Sequence, residues 1–257
     1  MSLQGRVALV TGAGRGIGQT IARVLAGRGM AIGVNDVNRE LAESASEKLR
    51  AEGFRALALP ADISRKTEVE AMVERLEVEL GALWLLVNNA GVYHSASTAE
   101  LSEEAWDQEF AVDAKGVFLC CQAAIRRMMP RRAGRIVNIA SIAGVIVRTN
   151  QIGYCSAKAA AVHFSRCLAV EMAPHGITVN CLCPGMTRTE MLLKSARDHG
   201  MSLEQYEALI PAGRMAEPED HAHLIAFLAS QEAAHLTGQV ISVDGGQSQF
   251  LPLVRPK

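Results

Sequence analysis

Seven short apolar segments rich in Val, Ile and Leu alternate with longer segments of helical periodicity along the 257 residues of this chain. Strands that are apolar at nearly every position are buried on both faces, which is typical of a parallel sheet between two layers of helices. Such strands, joined by right-handed helical crossovers, form a doubly wound α/β sheet. The predicted strands are residues 6–11, 31–35, 54–59, 83–87, 134–140, 176–182 and 239–243, and the predicted helices are residues 16–29, 38–52, 65–80, 102–129, 152–173 and 218–230.

Composition narrows the class of protein. A hydrophobic fraction of 49% is enough for one large core, so a single domain over residues 1–257 is expected. The net charge of −1 favours neither nucleic acid nor an anionic membrane as a partner. No apolar segment reaches the roughly 20 residues of a membrane span, and the N-terminus lacks the layout of a signal peptide, so a cytoplasmic protein is expected. The six cysteines are interpreted as buried thiols, and no metal site is predicted from their spacing.

A glycine-rich segment, Thr-Gly-Ala-Gly-Arg-Gly-Ile-Gly at residues 11–18, joins the first predicted strand to the first predicted helix. Gly12, Gly16 and Gly18 let the backbone turn tightly and approach a pyrophosphate, which is favoured at the positive N-terminus of a helix. Arg15 and Ile17 lie in the same turn and are included among the predicted cofactor-binding residues. An ordinary tight turn between strand and helix is the alternative.

Asp36 ends the second predicted strand, twenty residues after Gly16. A carboxylate at this place accepts hydrogen bonds from the hydroxyls of an adenosine ribose. It would also repel a 2′-phosphate by about 1–4 kcal/mol, depending on screening. Asp36 therefore favours NAD over NADP, whereas the guanidinium of Arg15 could reach a 2′-phosphate and favours NADP; NAD is the predicted cofactor.

The ends of the third, fourth and sixth predicted strands carry polar and small residues. Carboxyl ends of strands are where ligands bind in such sheets. Asp62 could accept a hydrogen bond from an adenine amino group, with a helix N-cap as its alternative role, and the hydroxyl of Thr187 could bond a nicotinamide amide. The further cofactor-binding residues predicted at these ends are Asp62, Ile63, Asn89, Ala90, Gly91, Pro184, Gly185 and Thr187.

Tyr154 and Lys158 are four residues apart on a predicted helix, and Ser141 lies thirteen residues before Tyr154. Residues at this helical spacing share one face, so an ammonium lies beside a phenol. A nearby positive charge favours the phenolate and is expected to lower the pKa of Tyr154. Such a tyrosine could exchange a proton while a carbinol and a ketone interconvert.

These motifs together resemble the short-chain dehydrogenase/reductase family over residues 5–246. The resemblance implies a single Rossmann-type domain, an NAD(P)-linked oxidoreductase, and a homotetramer or homodimer. It implies that Tyr154 is the general acid/base, that Ser141 binds the substrate oxygen, and that Lys158 binds the nicotinamide ribose and lowers the pKa of Tyr154. The residues that carry it are residues 11–18, Asp62, residues 88–91, Ser141, Tyr154, Lys158, residues 184–187 and residues 243–246.

One position departs from the family pattern, which places an Asn on the long helix before the fifth strand. This chain has Asp113 there, within Val112-Asp113-Ala-Lys-Gly116. Asp113 lacks the amide donors of Asn and can add a negative charge near Lys158. An ionised Asp113 would hold Lys158 protonated, whereas burial would raise the pKa of Asp113 itself. We count Asp113 with the catalytic residues and expect an altered pH profile.

The substrate end of the site is less constrained by the sequence. Residues 186–216 are interpreted as a substrate lid, with a plain surface helix pair as the alternative. Arg148 could bind a substrate carboxylate through two hydrogen bonds, or could be an exposed charge or a subunit contact. The predicted substrate-binding residues are Ser141, Arg148 and Tyr154. His221 and His223 lie two apart on a predicted helix and are interpreted as a solvated face.

The function predicted from these features is NAD-dependent interconversion of a secondary alcohol and a ketone on a small-molecule substrate. Two alternatives stay open. One is an NADPH-linked ketone or 3-oxoacyl reductase, and the other is a non-catalytic nucleotide-binding protein on the same fold.

Overall fold

The computed structural model describes residues 3–200 and 202–249, so residues 1–2 and 250–257 of the predicted domain lie outside the described part. All seven predicted strands are confirmed, each within two residues at either end. They pair in parallel in one sheet, in the order β3-β2-β1-β4-β5-β6-β7. The strands are β1 (Val7–Val10), β2 (Ala31–Asp36), β3 (Ala56–Pro60), β4 (Leu83–Asn88), β5 (Gly134–Ile139), β6 (Ile177–Pro184) and β7 (Val240–Val243).

The helices follow the sequence prediction with two differences. Residues 186–216 contain two helices that the periodicity did not show, and the predicted helix 102–129 is not uniform. The α-helices are α1 (Gly16–Gly27), α2 (Arg39–Ala51), α3 (Lys66–Leu80), α4 (Glu103–Glu109), α5 (Val117–Met128), α6 (Ile152–Met172), α7 (Glu190–His199), α8 (Leu203–Glu207) and α9 (Pro218–Leu228).

A π-helical segment, Phe110–Gly116, separates α4 from α5. The chain continues through it without leaving the helical path, which is why periodicity alone predicts one long helix. Such insertions are rare and occur frequently at functional sites, because they redirect the side chains that they contain. Asp113 lies in the middle of this segment.

The core has two parts, one on each face of the sheet. On one face, α1, α2 and α9 contribute buried residues such as Leu25, Leu49 and Ile225. On the other face, α3, α5 and α6 contribute residues such as Leu76 and Leu168. Of the strands between them, β1, β5 and β6 are buried throughout, as their apolar sequences predict, and β2 and β4 are buried at all but one position. The two edge strands, β3 and β7, are partly exposed.

The direction of winding reverses between β1 and β4, which are neighbours in the sheet. At such a switch point the connections leave toward opposite faces and open a crevice at the carboxyl ends of the strands. The glycine-rich segment follows β1 and residues 89–91 follow β4, so both border this crevice.

Three further expectations can be compared with the structure. Within residues 3–200 and 202–249, no helix combines the length and apolarity that crossing a bilayer requires. Four of the six cysteines are buried as predicted, but Cys155 is half-buried and Cys167 is exposed. The interpretation of His221 as solvated is wrong, because its side chain is fully buried, whereas His223 is exposed.

Candidate active site

A cavity of about 860 Å³ occupies the crevice. It brings together every predicted site residue except Gly18 and Asp113, which lie directly behind its wall. The predicted residues that line it are Gly12, Arg15, Gly16, Ile17, Asp36, Asp62, Ile63, Asn89, Ala90, Gly91, Ser141, Arg148, Tyr154, Lys158, Pro184, Gly185 and Thr187.

The glycine-rich turn has the conformation that close approach to a ligand requires. Gly12 and Gly16 have φ angles of 60° and 57°, a region that favours glycine. A Cβ at Gly12 would lie 2.7 Å from the Cα of Ala90, so a side chain has no room there. Gly18 does not line the cavity; its Cα packs against the Gly12 carbonyl and the Asn89 amide, and its role is to allow this packing.

The N-terminus of α1 is suited to an anion. Its N-cap residue, Arg15, makes no side-chain capping bond, and its first turn contains no acidic residue. The first backbone N–H groups of a helix lack partners within the helix and carry a partial positive charge. Gly16 and Ile17 face the cavity from this turn, so a pyrophosphate fits the residues present.

Thr11 and Asn89 fix the turn against the end of β4. The Thr11 hydroxyl accepts hydrogen bonds from the backbone N–H groups of Asn89 and Ala90, at 3.0 and 3.1 Å. The side-chain amide of Asn89 donates to the carbonyls of Thr11 and Gly12, at 2.9 and 3.0 Å. Asn89 lines the cavity as predicted, but the donors of its side-chain amide are used in these bonds to the glycine-rich turn.

Asp36 points back at the same turn. Its Oδ2 accepts a hydrogen bond from the backbone N–H of Gly14 at 3.2 Å, and its Oδ1 accepts one from Asn38 at 3.0 Å. Each carboxylate oxygen keeps a further lone pair for a ribose hydroxyl. Arg15, the competing cation, forms an exposed ion pair of 3.1 Å with Glu190.

Asp62 does not cap α3. That helix begins at Lys66 with Arg65 as its N-cap and has no side-chain capping bond. Asp62 Oδ1 instead accepts hydrogen bonds from the backbone N–H and the hydroxyl of Ser64, at 2.9 and 2.7 Å. The alternative role of Asp62 as an N-cap is therefore wrong, and its carboxylate remains at the cavity wall.

Ser141, Tyr154 and Lys158 lie together at the wall opposite the glycine turn. The Lys158 Nζ is 5.6 Å from the centroid of the Tyr154 ring and donates a hydrogen bond to the Ile139 carbonyl at 3.3 Å. Ser141 begins a short 3₁₀ turn, Ile142–Gly144, that packs against α6 at Lys158. Two separate elements thus hold the hydroxyl, the phenol and the ammonium in one place.

The electrostatics of Tyr154 differ from the sequence prediction. Burial raises the pKa of the Tyr154 phenol, and this effect outweighs the nearby Lys158 ammonium, which lowers it. The charge of Asp113 adds to the increase. The predicted net decrease in the pKa of Tyr154 is therefore wrong for the protein without its cofactor. The sequence shows the neighbouring ammonium but not how deeply the phenol is buried.

Asp113 is fully buried behind Lys158. Its Oδ1 lies 3.4 Å from Lys158 Nζ and accepts a hydrogen bond from the backbone N–H of Val92 at 3.1 Å. Burial raises the pKa of Asp113 to about 6, although the Lys158 charge opposes the increase. Burial alone would lower the pKa of Lys158, but the charges of Asp113 and Tyr154 together raise it.

Close packing around this ion pair depends on Gly91. A Cβ at Gly91 would lie 2.8 Å from Asp113 Oδ1 and 3.1 Å from Lys158 Nζ. The loop after β4 therefore covers the pair tightly. Asp113 Oδ2 has no hydrogen-bond partner among the described residues, which makes the charge on this carboxylate costly.

Thr187 has a partner that the sequence did not indicate. Its Oγ1 lies 2.8 Å from Nε2 of His221 on α9 and donates a hydrogen bond to the Gly185 carbonyl at 3.0 Å. Since the hydroxyl has one proton, Nε2 carries the proton of the His221–Thr187 bond. Burial lowers the pKa of His221 to about 4, so the ring is neutral at physiological pH.

Residues 186–216 form the helix pair α7 and α8 around a small core of their own, made by Met186, Ala196, Tyr206, Ile210 and Met215. Their two ends are joined, because the backbone N–H of Ala216 donates to the Met186 carbonyl at 2.9 Å. The helix pair was the alternative left open by the sequence. Some residues of this segment nevertheless line the cavity, namely Met186, Thr187, Thr189, Glu190, Leu192 and Arg197.

Two loops border the cavity beyond Tyr154, and an isolated bridge pairs Ala96 with Gln151. Arg148 and His94 line the cavity from these loops, with the neutral side chains of Gln108 and Tyr93. Glu109, fully buried, lies under His94; its Oε1 accepts a hydrogen bond from the His94 backbone N–H at 2.8 Å and lies 3.6 Å from His94 Nδ1.

The roles of Glu109 and His221 were not predicted from the sequence. Glu109 could have been identified from the sequence, because it lies four residues before Asp113 in the same predicted helix. His221 could not, because its contact with Thr187 joins residues that are 34 positions apart. In the part of the chain that the structure describes, no group of three His, Cys, Asp or Glu side chains is placed to bind a metal.

Comparison with known proteins agrees with this arrangement. A family model described as enoyl-(acyl carrier protein) reductase matches residues 12–248. The 2,3-dihydro-2,3-dihydroxybenzoate dehydrogenase of Bacillus subtilis is 39% identical over 251 residues, which cover 95% of this chain and 96% of that protein.

Solved structures are also similar. A gluconate 5-dehydrogenase from Burkholderia cenocepacia, in complex with NADP and tartrate, superposes with a TM-score of 0.92 and 35% identity, over 97% of this chain and 98% of that one. A short-chain type dehydrogenase/reductase from Mycobacterium marinum superposes with a TM-score of 0.90 and 34% identity, over 96% of each chain.

Proposed function

Because this chain belongs to the short-chain dehydrogenase/reductase family of NAD(P)-dependent oxidoreductases, we propose that it interconverts a secondary alcohol and a ketone with NAD as the hydride carrier. One observation carries the proposal. Ser141, Tyr154 and Lys158 line the same cavity as the glycine-rich turn and Asp36, so a bound dinucleotide and a small substrate can meet there.

The residues that would hold the cofactor are distributed along the crevice. Residues 12–17 would bind the pyrophosphate, Asp36 the adenosine ribose and Asp62 the adenine, while Lys158 and Thr187 would bind the nicotinamide riboside. The nicotinamide ring supplies a hydride acceptor or donor.

The protein side chains would handle the substrate oxygen and its proton. In alcohol oxidation, the hydrogen on the carbinol carbon would leave as hydride to the oxidised nicotinamide while the C=O double bond forms, and the O–H proton would pass to the phenolate of Tyr154. The Ser141 hydroxyl bonds the same oxygen and stabilises the charge that develops on it. In ketone reduction, Tyr154 returns the proton.

The phenolate of Tyr154 needs positive charge nearby, because burial raises the pKa of this phenol. Lys158 supplies one such charge at 5.6 Å from the ring. The positive charge of an oxidised nicotinamide would act in the same direction. We therefore propose that Tyr154 becomes an effective base only when the oxidised cofactor is bound.

The preference for NAD rests on Asp36. Its carboxylate lies beside the glycine turn, where a 2′-phosphate would meet its charge, at a cost of about 1–4 kcal/mol. Arg15, the cation that could favour a 2′-phosphate, is paired with Glu190.

A second candidate is an NADPH-linked ketone or 3-oxoacyl reductase. The observation that favours it is the exposure of the Arg15–Glu190 pair, whose side chains are 68% and 76% accessible. Exposed ion pairs contribute about 1 kcal/mol or less, so Arg15 could leave Glu190 for a phosphate. The gluconate 5-dehydrogenase mentioned above is described in complex with NADP.

Residues 186–216 are proposed to act as a lid over the substrate. Their ends are joined at Met186 and Ala216, their apolar residues form a separate small core, and α7 borders the cavity. A unit of this kind can move as a body about its base. Protection of this segment from proteolysis by NADH together with a substrate analogue would support the proposal; equal cleavage with and without ligands would contradict it.

The family resemblance also favours a homotetramer or homodimer, and a cytoplasmic location stays the expectation drawn from the sequence. Apolar side chains on the outer sides of α5 and α6 support association, since Phe118 is 43% exposed and Val170 is 76% exposed. Light scattering at micromolar concentration tests this: a mass near 27.5 kDa, that of the single chain, would contradict it.

The proposed activity is tested by following absorbance at 340 nm with a panel of cyclic secondary alcohols, polyols and hydroxy acids, each with NAD and with NADP. Reduction of NAD by some members of the panel, faster than reduction of NADP, is the expected result. Faster turnover with NADP would favour the second candidate. Absence of turnover throughout the panel, and of ketone reduction in the reverse direction, would count against both.

A further inference from the structure

Charge is distributed unevenly along the cavity. The acidic side chains that line it are Asp36, Asp62 and Glu190, and all three lie at the end where the dinucleotide would bind. Beyond Tyr154 the described lining residues include no carboxylate. Arg148 and His94 are there instead, with the neutral side chains of Tyr93, Gln108 and Gln151.

Arg148 has no ion pair with any residue in the described ranges, 3–200 and 202–249, and its guanidinium makes no hydrogen bond to them. Its side chain is half-buried at the cavity wall. It is close enough to Tyr154 to influence the pKa of that phenol, so its charge is close to the reacting end of the cavity. An arginine in this position can take a carboxylate through two parallel N–H···O bonds.

His94 is held in place from beneath by Glu109. One oxygen of this fully buried carboxylate accepts the backbone N–H of His94 at 2.8 Å and lies 3.6 Å from Nδ1 of the ring. Nδ1 is therefore turned toward the protein interior, and it is also buried. That orientation leaves Nε2 as the ring nitrogen available to the cavity, which His94 lines with a side chain that is 34% exposed.

The two loops that carry these groups are tied together. The backbone N–H of Ala96 donates to the Asn150 carbonyl at 3.0 Å, and Ala96 pairs with Gln151 in an isolated bridge. Gln151 Nε2 also lies 3.4 Å from the Tyr93 hydroxyl. His94 and Arg148 thus belong to one connected wall.

We propose that this wall binds a carboxylate of the substrate, with Arg148 as the principal ligand and His94 as a second polar contact. The inference rests on the proposed function, because it assigns the substrate class of the same site: a small secondary alcohol or ketone that carries a carboxylate. Within this wall, one permanent cation and one imidazole match a single negative charge; Arg197 lines the cavity from α7, outside the wall. Glu109 is a positioning residue, because it holds the backbone of His94 without reaching the cavity.

The test uses matched substrates with the holoenzyme. Cyclic secondary alcohols bearing a carboxylate, such as 3-hydroxycyclohexanecarboxylate, are compared with the corresponding carboxamides. We expect the wild type to turn over the carboxylate with a kcat/KM at least about tenfold higher, as a charge-assisted pair implies. In Arg148→Gln this preference should disappear through a rise in KM for the carboxylate that the carboxamide does not share, whereas any effect of the lost charge on Tyr154 should change kcat for both substrates alike.

Two variants serve as controls. Arg166→Gln removes an exposed arginine from α6 outside the cavity lining and should leave both substrates unaffected. His94→Gln keeps a polar side chain and should lose part of the preference, about two- to fivefold. Equal turnover of carboxylate and carboxamide by the wild type would overturn the inference while leaving the proposed dehydrogenase function intact. Equal losses on both substrates in Arg148→Gln would assign a structural role to Arg148 and also overturn it.

A binding measurement covers the case in which no alcohol is oxidised. Calorimetry of cyclohexanecarboxylate and cyclohexanecarboxamide with the protein–NADH complex does not depend on turnover. Tighter binding of the carboxylate, lost in Arg148→Gln, would support the anion site even if the proposed reaction were wrong. No difference between the two ligands would contradict the site independently of the reaction.

Discussion

Replacing Asp113 by Asn probes how charge is controlled around Tyr154. The substitution keeps the size of the side chain and the acceptor that bonds the Val92 N–H, but it removes the negative charge. Lys158 Nζ lies 3.4 Å from Asp113 Oδ1 and 5.6 Å from the Tyr154 ring centroid, so the carboxylate lies at most about 9 Å from the ring.

The magnitude follows from Coulomb's law. At that distance and an effective dielectric constant of about 20, repulsion between the carboxylate and a phenolate is about 1.8 kcal/mol. Since 1.36 kcal/mol corresponds to about one unit of pKa, removing the charge should move the titration of Tyr154 by roughly one unit toward lower pH. The direction agrees with the structure, in which the charge of Asp113 raises the pKa of Tyr154.

The assay is kcat/KM for alcohol oxidation from pH 5 to 10. Rate rises with pH as Tyr154 loses its proton, so we expect the rising limb of Asp113→Asn to lie about one unit below that of the wild type. The pKa of Asp113 is about 6, so the two profiles should converge below that pH, where the wild-type carboxyl is itself neutral. Asp107→Asn, an exposed substitution on α4, is the control and should leave the profile unchanged.

Two results would refute this reasoning. Superimposable profiles would mean that the charge of Asp113 does not reach Tyr154. A rising limb displaced toward higher pH would mean that Lys158 becomes neutral once the Asp113 carboxylate is removed. In that case the main role of Asp113 would be to keep Lys158 charged, rather than to oppose the phenolate.

Three other substitutions test separate parts of the site. Asp36→Asn keeps the acceptor but removes the charge, and should raise the ratio of kcat/KM for NADP over NAD by about fivefold or more, the effect of relieving 1–4 kcal/mol of repulsion. An unchanged ratio would show that another residue selects the cofactor. Gly12→Ala places a Cβ against the loop after β4 at a φ of 60°. It should weaken NADH binding, measured by fluorescence titration, and lower the free energy of unfolding by about 1–3 kcal/mol, measured by denaturant unfolding. A fully stable variant with normal affinity would contradict the packing. His221→Phe removes the partner of Thr187 and should raise KM for NAD about three- to tenfold. The exposed control His223→Phe should leave KM for NAD unchanged. Equal changes of KM in the two variants would show that His221 does not contribute to the cofactor site.

The sequence predicts the fold well because the fold depends on local patterns. Each strand is apolar at nearly every position and is flanked by helical periodicity, so sheet membership and parallel pairing follow from short segments. The glycine turn and the Tyr154–Lys158 pair are likewise local, because their spacing alone places them at a strand end or on one helix face. These elements are found where the sequence predicts them.

What the sequence does not show depends on packing between distant segments. The direction of the pKa shift of Tyr154 is set by burial, which overrides the neighbouring ammonium. The π-helical segment around Asp113 does not interrupt the spacing of apolar residues, so the sequence pattern predicts one continuous helix. His221 on α9 contacts Thr187, which is 34 positions away in the sequence, so local spacing carries no signal for this contact.

The central claim is that Tyr154 transfers a proton while the substrate carbon exchanges hydride at this cavity. The most direct measurement is the single-turnover rate of Tyr154→Phe with NAD and the best substrate of the panel, alongside its affinity for NADH. We predict that the rate falls by about a thousandfold or more while NADH still binds within a few-fold of wild type, because only the phenolic hydroxyl is lost. Turnover at the wild-type rate by Tyr154→Phe would contradict the account.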